Sequence, residues 1–350
     1  MTMSTSHKGR TTLFPLKSFF SRIGRRHSAA HPGALWHLPA FLLACSPEPV
    51  QEAFPSAPAQ KVQIYLFQRA NTSLQGLELL FFQEGPLEKL DAYQHFGTIS
   101  GSMVQGISST AAQKAVAFSN CTEDIYQWSD IRTYASLRNR SFHLEDENPE
   151  RPMLLGTCDL PEGSRRTCRM LLQPMLSRIT LRSVACDFTG HVYAGEPLRN
   201  VRAYLTYVSR ETRPLAPDDH PVSWLNAGHL DETETGALPH PELVLAPVSS
   251  SLSSRIYPSL DFYCYPNPYD GKVFGEPVTR LVLEGQLRGK TYYYPIDLPG
   301  LKAHTQYRVD VTLTRAGTTD PDTPTLTGTI LLENKVLDWD EREWEDIHYQ

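Results

Sequence analysis

The chain has no CxxC pair, no HExxH, no GxSxG, no phosphate-binding glycine loop and no GxGxxG. Zinc ribbons, thioredoxin-type redox chemistry, zincin proteolysis, α/β-hydrolase acyl transfer and nucleotide binding therefore lack the residue spacing they require. Long hydrophobic runs are missing as well. No segment approaches the ~18 consecutive apolar residues that cross a bilayer as a helix. Acidic residues are absent from the first 44 positions, although the whole chain carries 39 of them.

That acid-free stretch holds Lys8, Arg10, Lys17, Arg22, Arg25 and Arg26, and then an apolar run over 34–44 that contains His37 and Pro39. It ends at Leu42-Leu43-Ala44-Cys45. A basic region, an apolar run, a small residue and a cysteine, in that order, read as an export signal with a lipobox. Cleavage would leave Cys45 as the first residue with its thiol acylated, making the chain anchored rather than spanning. The signal peptide is thus expected at 1–44 and a lipidated tether at 45–60, where proline, serine and alanine dominate. Losing the six basic residues leaves 27 of the 33 against 39 acidic, a formal charge of −12. Such a surface disfavours nucleic acid and anionic headgroups as partners.

About 305 residues remain after Ala44, which suits two domains better than one. Twenty-seven prolines, with many Val, Thr, Tyr and Phe, favour β-structure rich in turns. Val62, Ile64 and Leu66 alternate with Gln63, Tyr65 and Phe67, which predicts a strand with both faces largely covered. A second strand is expected over 77–82. Small polar residues over 101–114 predict a loop, Asp124-Ile125-Tyr126 a short helix, and 144–151 a charged turn. Residues 209–255 read as an insertion or binding loop. Segments 281–287 and 291–296 flank Arg288-Gly289-Lys290 and predict a hairpin. Tyr307, Val309, Val311 and Leu313 alternate with polar residues, and 327–336 supplies a last strand. The expected fold is all-β, with two antiparallel Greek-key β-sandwich domains in tandem over 61–174 and 175–350.

Five cysteines accompany Cys45, so at least one is unpaired. Cys158 and Cys168 flank a short polar loop, as a hairpin disulfide or as two thiols. Cys186 and Cys264 sit in apolar strands as small hydrophobes. His220, His229 and His240 are spaced too widely for joint ligation, and Asp320-Pro321-Asp322 offers too few oxygens for Ca²⁺. No cofactor, metal or catalytic residue is expected, and hence no enzyme. The tyrosines Tyr292-Tyr293-Tyr294, with Tyr263, Tyr265 and Tyr269, read either as cross-strand core pairs or as a platform for surface glycans. The terminal strands offer a different interaction surface, because a sheet edge templates another strand. Val62, Ile64, Leu66, Ile330 and Leu332 are the residues strand exchange would use.

Phe262-Tyr263-Cys264-Tyr265-Pro266-Asn267-Pro268, Thr279-Arg280-Leu281-Val282-Leu283-Glu284-Gly285 and Tyr292-Tyr293-Tyr294-Pro295-Ile296 resemble the C-terminal domain of Bacteroidales fimbrillin-type (type V pilus) lipoproteins. Tyr307-Arg308-Val309-Asp310-Val311-Thr312-Leu313-Thr314-Arg315, Gly317-Thr318-Thr319-Asp320-Pro321-Asp322 and Val336-Leu337-Asp338-Trp339 follow in an order most similar to the anchor-subunit branch. Arg178-Ile179-Thr180-Leu181, Tyr193-Ala194-Gly195-Glu196-Pro197-Leu198 and Val201-Arg202-Ala203-Tyr204-Leu205 resemble the stretch near the domain junction. The likeness covers roughly 175–340; the N-terminal part matches by position and by the lipobox. It implies transthyretin-like sandwiches, export to the outer membrane through acylated Cys45, and strand exchange with other fimbrial subunits. Adhesion to host or bacterial surface ligands is implied too, with no nucleic acid as partner. Stalk subunits are cut after an arginine behind the first strand, and Arg69 holds that position here. Anchor subunits keep both lipid and first strand.

Overall fold

A computed structural model describes residues 57–68, 74–121, 126–163, 166–216, 220–326 and 328–339. Cys45 and Arg69 lie outside the described residues, as does most of the short helix expected near Asp124. The first part of the chain runs through β1 (Ala59–Gln68), β2 (Leu77–Gln83), β3 (Leu90–Phe96), β4 (Met103–Ser109), β5 (Ala112–Ser119), helix α1 (Tyr134–Arg138), β6 (Phe142–His143), β7 (Leu154–Asp159) and β8 (Arg166–Pro174). The second part comprises β9 (Ser177–Cys186), β10 (Leu198–Thr206), β11 (Val208–Ser209), β12 (Glu211–Thr212), β13 (Trp224–Leu225), helix α2 (Glu232–Gly236), β14 (Leu245–Leu252), β15 (Leu260–Cys264), β16 (Arg280–Leu287), β17 (Lys290–Asp297), β18 (Thr305–Leu313) and β19 (Ile330–Asp338). The protein is all-β apart from single helical turns.

Strands β3-β2-β5-β7-β8-β1-β4 form one sheet in that order, and it folds over itself into two layers. Val62, Ile64, Leu66, Met170 and Leu172 of the β8-β1-β4 layer pack on Leu77, Leu79, Phe81, Ala115 and Ala117 of the β3-β2-β5-β7 layer. The 101–114 stretch, expected as loop, holds β4 and the start of β5, which follow each other in sequence but pair with different strands, β4 with β1 and β5 with β2 and β7. Its small residues are a packing requirement: a Cβ at Gly106 would lie 2.7 Å from Phe81 Cζ. Cys158 and Cys168 are disulfide-bonded, while Cys121, Cys186 and Cys264 are free.

The outer face of the β2–β5 layer is covered as well, which explains why 77–82 is apolar at nearly every position. Leu80, Phe82, Val116 and Phe118 meet Tyr126, Trp128, Ile131, Leu137, Phe142 and Leu144. The Phe118 ring lies 4.8 Å from Trp128 and 5.1 Å from Phe142. This apolar cluster runs on without a break into the second part of the chain.

There, sheets β14-β10-β16-β17 and β15-β9-β18-β19 enclose Leu181, Val184, Leu205, Leu281, Leu283, Tyr294, Val309 and Val311. The expected β16–β17 hairpin turns through Arg288 and Gly289, both at positive φ (51° and 81°), as a two-residue primed turn demands. The 209–255 stretch is not one long loop. It ends in edge strand β14, whose Pro247 and run of serines hide the period. Two of the sheets are mixed, since β1 runs parallel to β8 and β9 parallel to β18, while β14-β10-β16-β17 is antiparallel throughout.

Several contacts join the two parts. β12 pairs with β6, the Leu144 N–H donates to the Arg210 carbonyl at 2.9 Å, and the Tyr265 hydroxyl donates to the His143 carbonyl at 3.2 Å. Beside Tyr265 lies Glu147. The expected charged turn is instead a 3₁₀ turn over Leu144–Asp146 that directs Glu147 inward, leaving it 1% exposed. Its Oε2 accepts from the Met153 N–H at 2.9 Å, and its Oε1 is buried without a hydrogen-bond partner. Burial pushes the carboxyl up to about 8, against a small opposing contribution from the Met153 N–H. Between the ordinary glutamate range and pH 8 the folded chain therefore holds a proton that the unfolded chain has released. Stability falls as pH rises through that window, by roughly 1.4 kcal/mol per unit from this group, and levels off above pH 8. Glu147→Gln is expected to flatten this slope, which urea denaturation at pH 5.5 and 8 measures.

Candidate strand-exchange interface

β1 is the middle strand of its layer. It runs antiparallel to β4 from Ala59↔Ser109 to Tyr65↔Met103, and parallel to β8 from Val62↔Arg166 to Gln68↔Leu172. Val62, Ile64 and Leu66 point inward and are buried, as strict alternation requires. The outer face is not covered as the sequence suggested. Tyr65 and Phe67 are exposed there beside Met103, with the Arg169 guanidinium 6.0 Å from the Phe67 ring centroid.

β19 is built differently. It pairs with β18 from Leu313↔Ile330 to Thr305↔Asp338 and forms the edge of its sheet. Ile330, Leu332 and Val336 lie opposite Leu313, Val311 and Tyr307, on the core side of the sheet. Their partners are buried, yet Leu332 is 41% exposed and Val336 56%, and Ile330 is only half-buried. Apolar side chains therefore extend the core stripe past the cover of the opposing sheet. The strand's far end is pinned by Trp339, whose N–H donates to the His304 carbonyl at 3.0 Å and whose ring lies 5.7 Å from that of Tyr263. In the sequence Trp339 stands only in the closing 336–339 motif, three residues past the strand expected at 327–336.

The other chemistry-bearing residues resolve into structure. Tyr292 is 8% exposed and Tyr265 and Tyr294 are fully buried, so these three rings pack the sandwich rather than offer a face to glycans, while Tyr263, Tyr269 and Tyr293 are half-buried. Asp320 accepts from the Asp322 N–H at 3.0 Å and from the Thr323 hydroxyl at 3.1 Å, while Asp322 pairs with Arg280. His220 stacks on Tyr269, and His240 lies 2.9 Å from Glu242. A cleft brings together Cys121, His95 and Glu78, with His95 Nδ1 2.9 Å from Glu78 Oε1. Cys121 is no thiolate nucleophile, because burial first, and then Glu147, Glu78 and Asp146, push its thiol well up. Among the described residues no group of His, Cys, Asp and Glu is placed to hold a metal ion. Nor is any described helix long and apolar enough to cross a membrane.

No protein-family model matches the chain, and no curated protein matches it. Solved structures do. A candidate cell adhesion protein from Bacteroides eggerthii is similar over 81% of this chain and 97% of its own, with a TM-score of 0.64 and 18% identity. A fimbrilin from Porphyromonas gingivalis is similar over 80% of this chain and 97% of its own, with a TM-score of 0.57 and 12% identity. The C-terminally truncated tip fimbrial protein of Porphyromonas gingivalis is similar over 81% and 100%, with a TM-score of 0.51 and 11% identity. At such identities the likeness is one of fold. The chain has the β-sandwich fold of Bacteroidales fimbrillin-type proteins.

The two strands should respond differently to the same insult. Ile64→Asp places an unpaired carboxylate in the core and should cost several kcal/mol, on the order of 3–5. Leu332→Asp on the uncovered stripe should cost less than about 1 kcal/mol. Denaturant midpoints of the two variants against the parent chain check this contrast.

Proposed function

We propose that the chain is a lipid-anchored, non-enzymatic structural subunit of a cell-surface fimbrium, joined to other subunits by β-strand exchange and supporting adhesion. The observation that carries this reading is the contrast between the two terminal strands. β1 fills a seat lined for alternating aliphatic side chains, and β19 presents an aliphatic stripe that its own sandwich leaves uncovered. This contrast supports a strand donor and a strand acceptor in one chain.

The lipobox at Cys45 supports attachment to outer-membrane lipid, with 46–60 as the tether. Apart from β6, which pairs with β12, the strands up to Pro174 share one sheet and those from Ser177 form the others, which supports domains at 61–174 and 175–350. The anchor-branch motifs of the C-terminal part favour an anchor or base subunit over stalk or tip. A chain that keeps β1 engages other subunits through β19. A chain cut after Arg69 also frees the β1 seat. Host or bacterial surface molecules are the ligands of the assembled fimbrium in this reading.

Intact mass and N-terminal mapping of the membrane-extracted protein test it. An acylated Cys45 with residues 46–69 attached is the expected result and fits an anchor. A chain beginning at Ala70 assigns a stalk or tip role instead. A chain with neither lipid nor cleavage overturns the anchored reading. Deleting 330–338 should remove the denaturant-resistant, higher-mass species from surface extracts on gels; undiminished species would overturn exchange through β19.

A further inference from the structure

β1 can leave its seat usefully only if the seat survives without it. Both walls of the seat are tied by groups that β1 does not supply. β8 is the first wall. Its register with β7 is confined to Leu154↔Pro174 and Leu155↔Gln173, so between Arg166 and Leu172 its strand ladder is to β1 alone. Within that stretch Cys168 is bonded to Cys158 of β7, across the splay between the two layers. Cys168 lies opposite Ile64 in the register and is buried in the same core.

β4 is the second wall, and its strand ladder is also to β1 alone. Side chains of β3 hold it from the far side. Gln94 Nε2 donates to the Ile107 carbonyl at 3.0 Å, and Gln94 Oε1 accepts from the Ile107 N–H at 3.0 Å. Asp91 accepts from the N–H and hydroxyl of Ser109 at 2.6 and 2.5 Å. Buried Arg166 closes the end of the seat. It donates to the Ser109 and Pro161 carbonyls at 3.0 Å each, and to the Ala112 carbonyl.

We propose that the Cys158–Cys168 disulfide is an assembly clamp. It holds β8 in place while the seat is empty, so that the slot accepts an extended strand from another subunit instead of collapsing. The inference rests on the strand-exchange reading above. Its occupant is a segment with aliphatic side chains at alternate positions, entering parallel to β8 and antiparallel to β4. A covalent tie suits this task because it does not depend on whether β1 is present, whereas the β8 ladder does.

The test uses the full mature chain with a specific protease site inserted after Gln68. After cleavage it is mixed with a fluorescent peptide of the Ala59–Gln68 sequence. Uptake is read by anisotropy and the fold by near-ultraviolet circular dichroism. The disulfide-bonded chain is expected to exchange its β1 for the peptide and stay folded. C158S/C168S and the apolar pair C158V/C168A are expected to be folded before cleavage and to lose uptake by more than about tenfold after it. If the serine pair fails to fold uncut, the valine–alanine pair decides. Parental uptake by C158V/C168A overturns the clamp and leaves strand exchange standing. Absence of uptake by the disulfide-bonded chain overturns exchange at this seat itself. Unfolding of both uncut variants also overturns the clamp, because the bond would then hold the whole sandwich rather than the empty seat.

Discussion

The first sandwich depends on the two main-chain ladders of β1. One of its layers has three strands, and the middle one supplies every strand ladder of β4 and most of that of β8. Each ladder bond contributes only about 0.5–1.5 kcal/mol net. Burial adds more: Val62, Ile64 and Leu66 are each worth roughly 1.5–3 kcal/mol over exposure. Without an occupant in that seat, Leu79 and Phe81 of the facing layer would lose the cover of the β1 side chains and keep only that of neighbours such as Gly106 of β4. β1 is also the first strand among the described residues. A strand can be central to the packing and peripheral to the connectivity, and this combination makes replacement by an equivalent segment physically feasible.

The second constraint is the continuous apolar cluster between the two parts. The β2–β5 layer buries both faces, one in its own sandwich and one under Trp128, Phe142 and Leu144. Those residues in turn sit against the second part through β6 with β12 and through Tyr265 with His143. The joint is not purely apolar. Burial pushes the Tyr265 hydroxyl well up, and Glu147 beside it adds to the shift. A neutral carboxyl with one unpartnered oxygen in such a place is costly. The cost is met by the dense packing around it.

Legibility in the sequence followed burial on one face. β1, β16, β17 and β18 each have one apolar and one mixed face, and alternation revealed them. β4 was invisible because two of its three inner positions are Gly106 and Ser108 beside Val104, and at Gly106 the bulk of Phe81 opposite leaves no room for a side chain. β14 was hidden by Pro247, which an edge strand tolerates because its outer N–H positions need no partner. Glu147 could not be foreseen, since charge in a run of Glu, Asp and Asn reads as solvated unless tertiary packing turns one residue inward. For the candidate interface, the alternating residues of both strands were legible from period alone. Their unequal burial was not, because it is set by how far the opposing sheet extends.

That inequality supplies a direction for exchange. In the proposed exchange β19 would leave an edge with one ladder for a seat with two, so main-chain hydrogen bonding and side-chain burial would act in the same direction. In its own sandwich β19 leaves Leu332 and Val336 largely in water. In a seat like that of β1, residues at alternate positions are fully enclosed. Transferring two aliphatic side chains from half-exposed to buried sites favours exchange by a few kcal/mol, roughly 25 cal/mol for each Å² of apolar surface removed from water. Asn334 interrupts the stripe between Leu332 and Val336, the two of its residues with most apolar surface left to bury. Glu333 and Lys335 alternate with these positions and stay outside. The charges also discourage indiscriminate edge pairing of β19 before the proper seat is met.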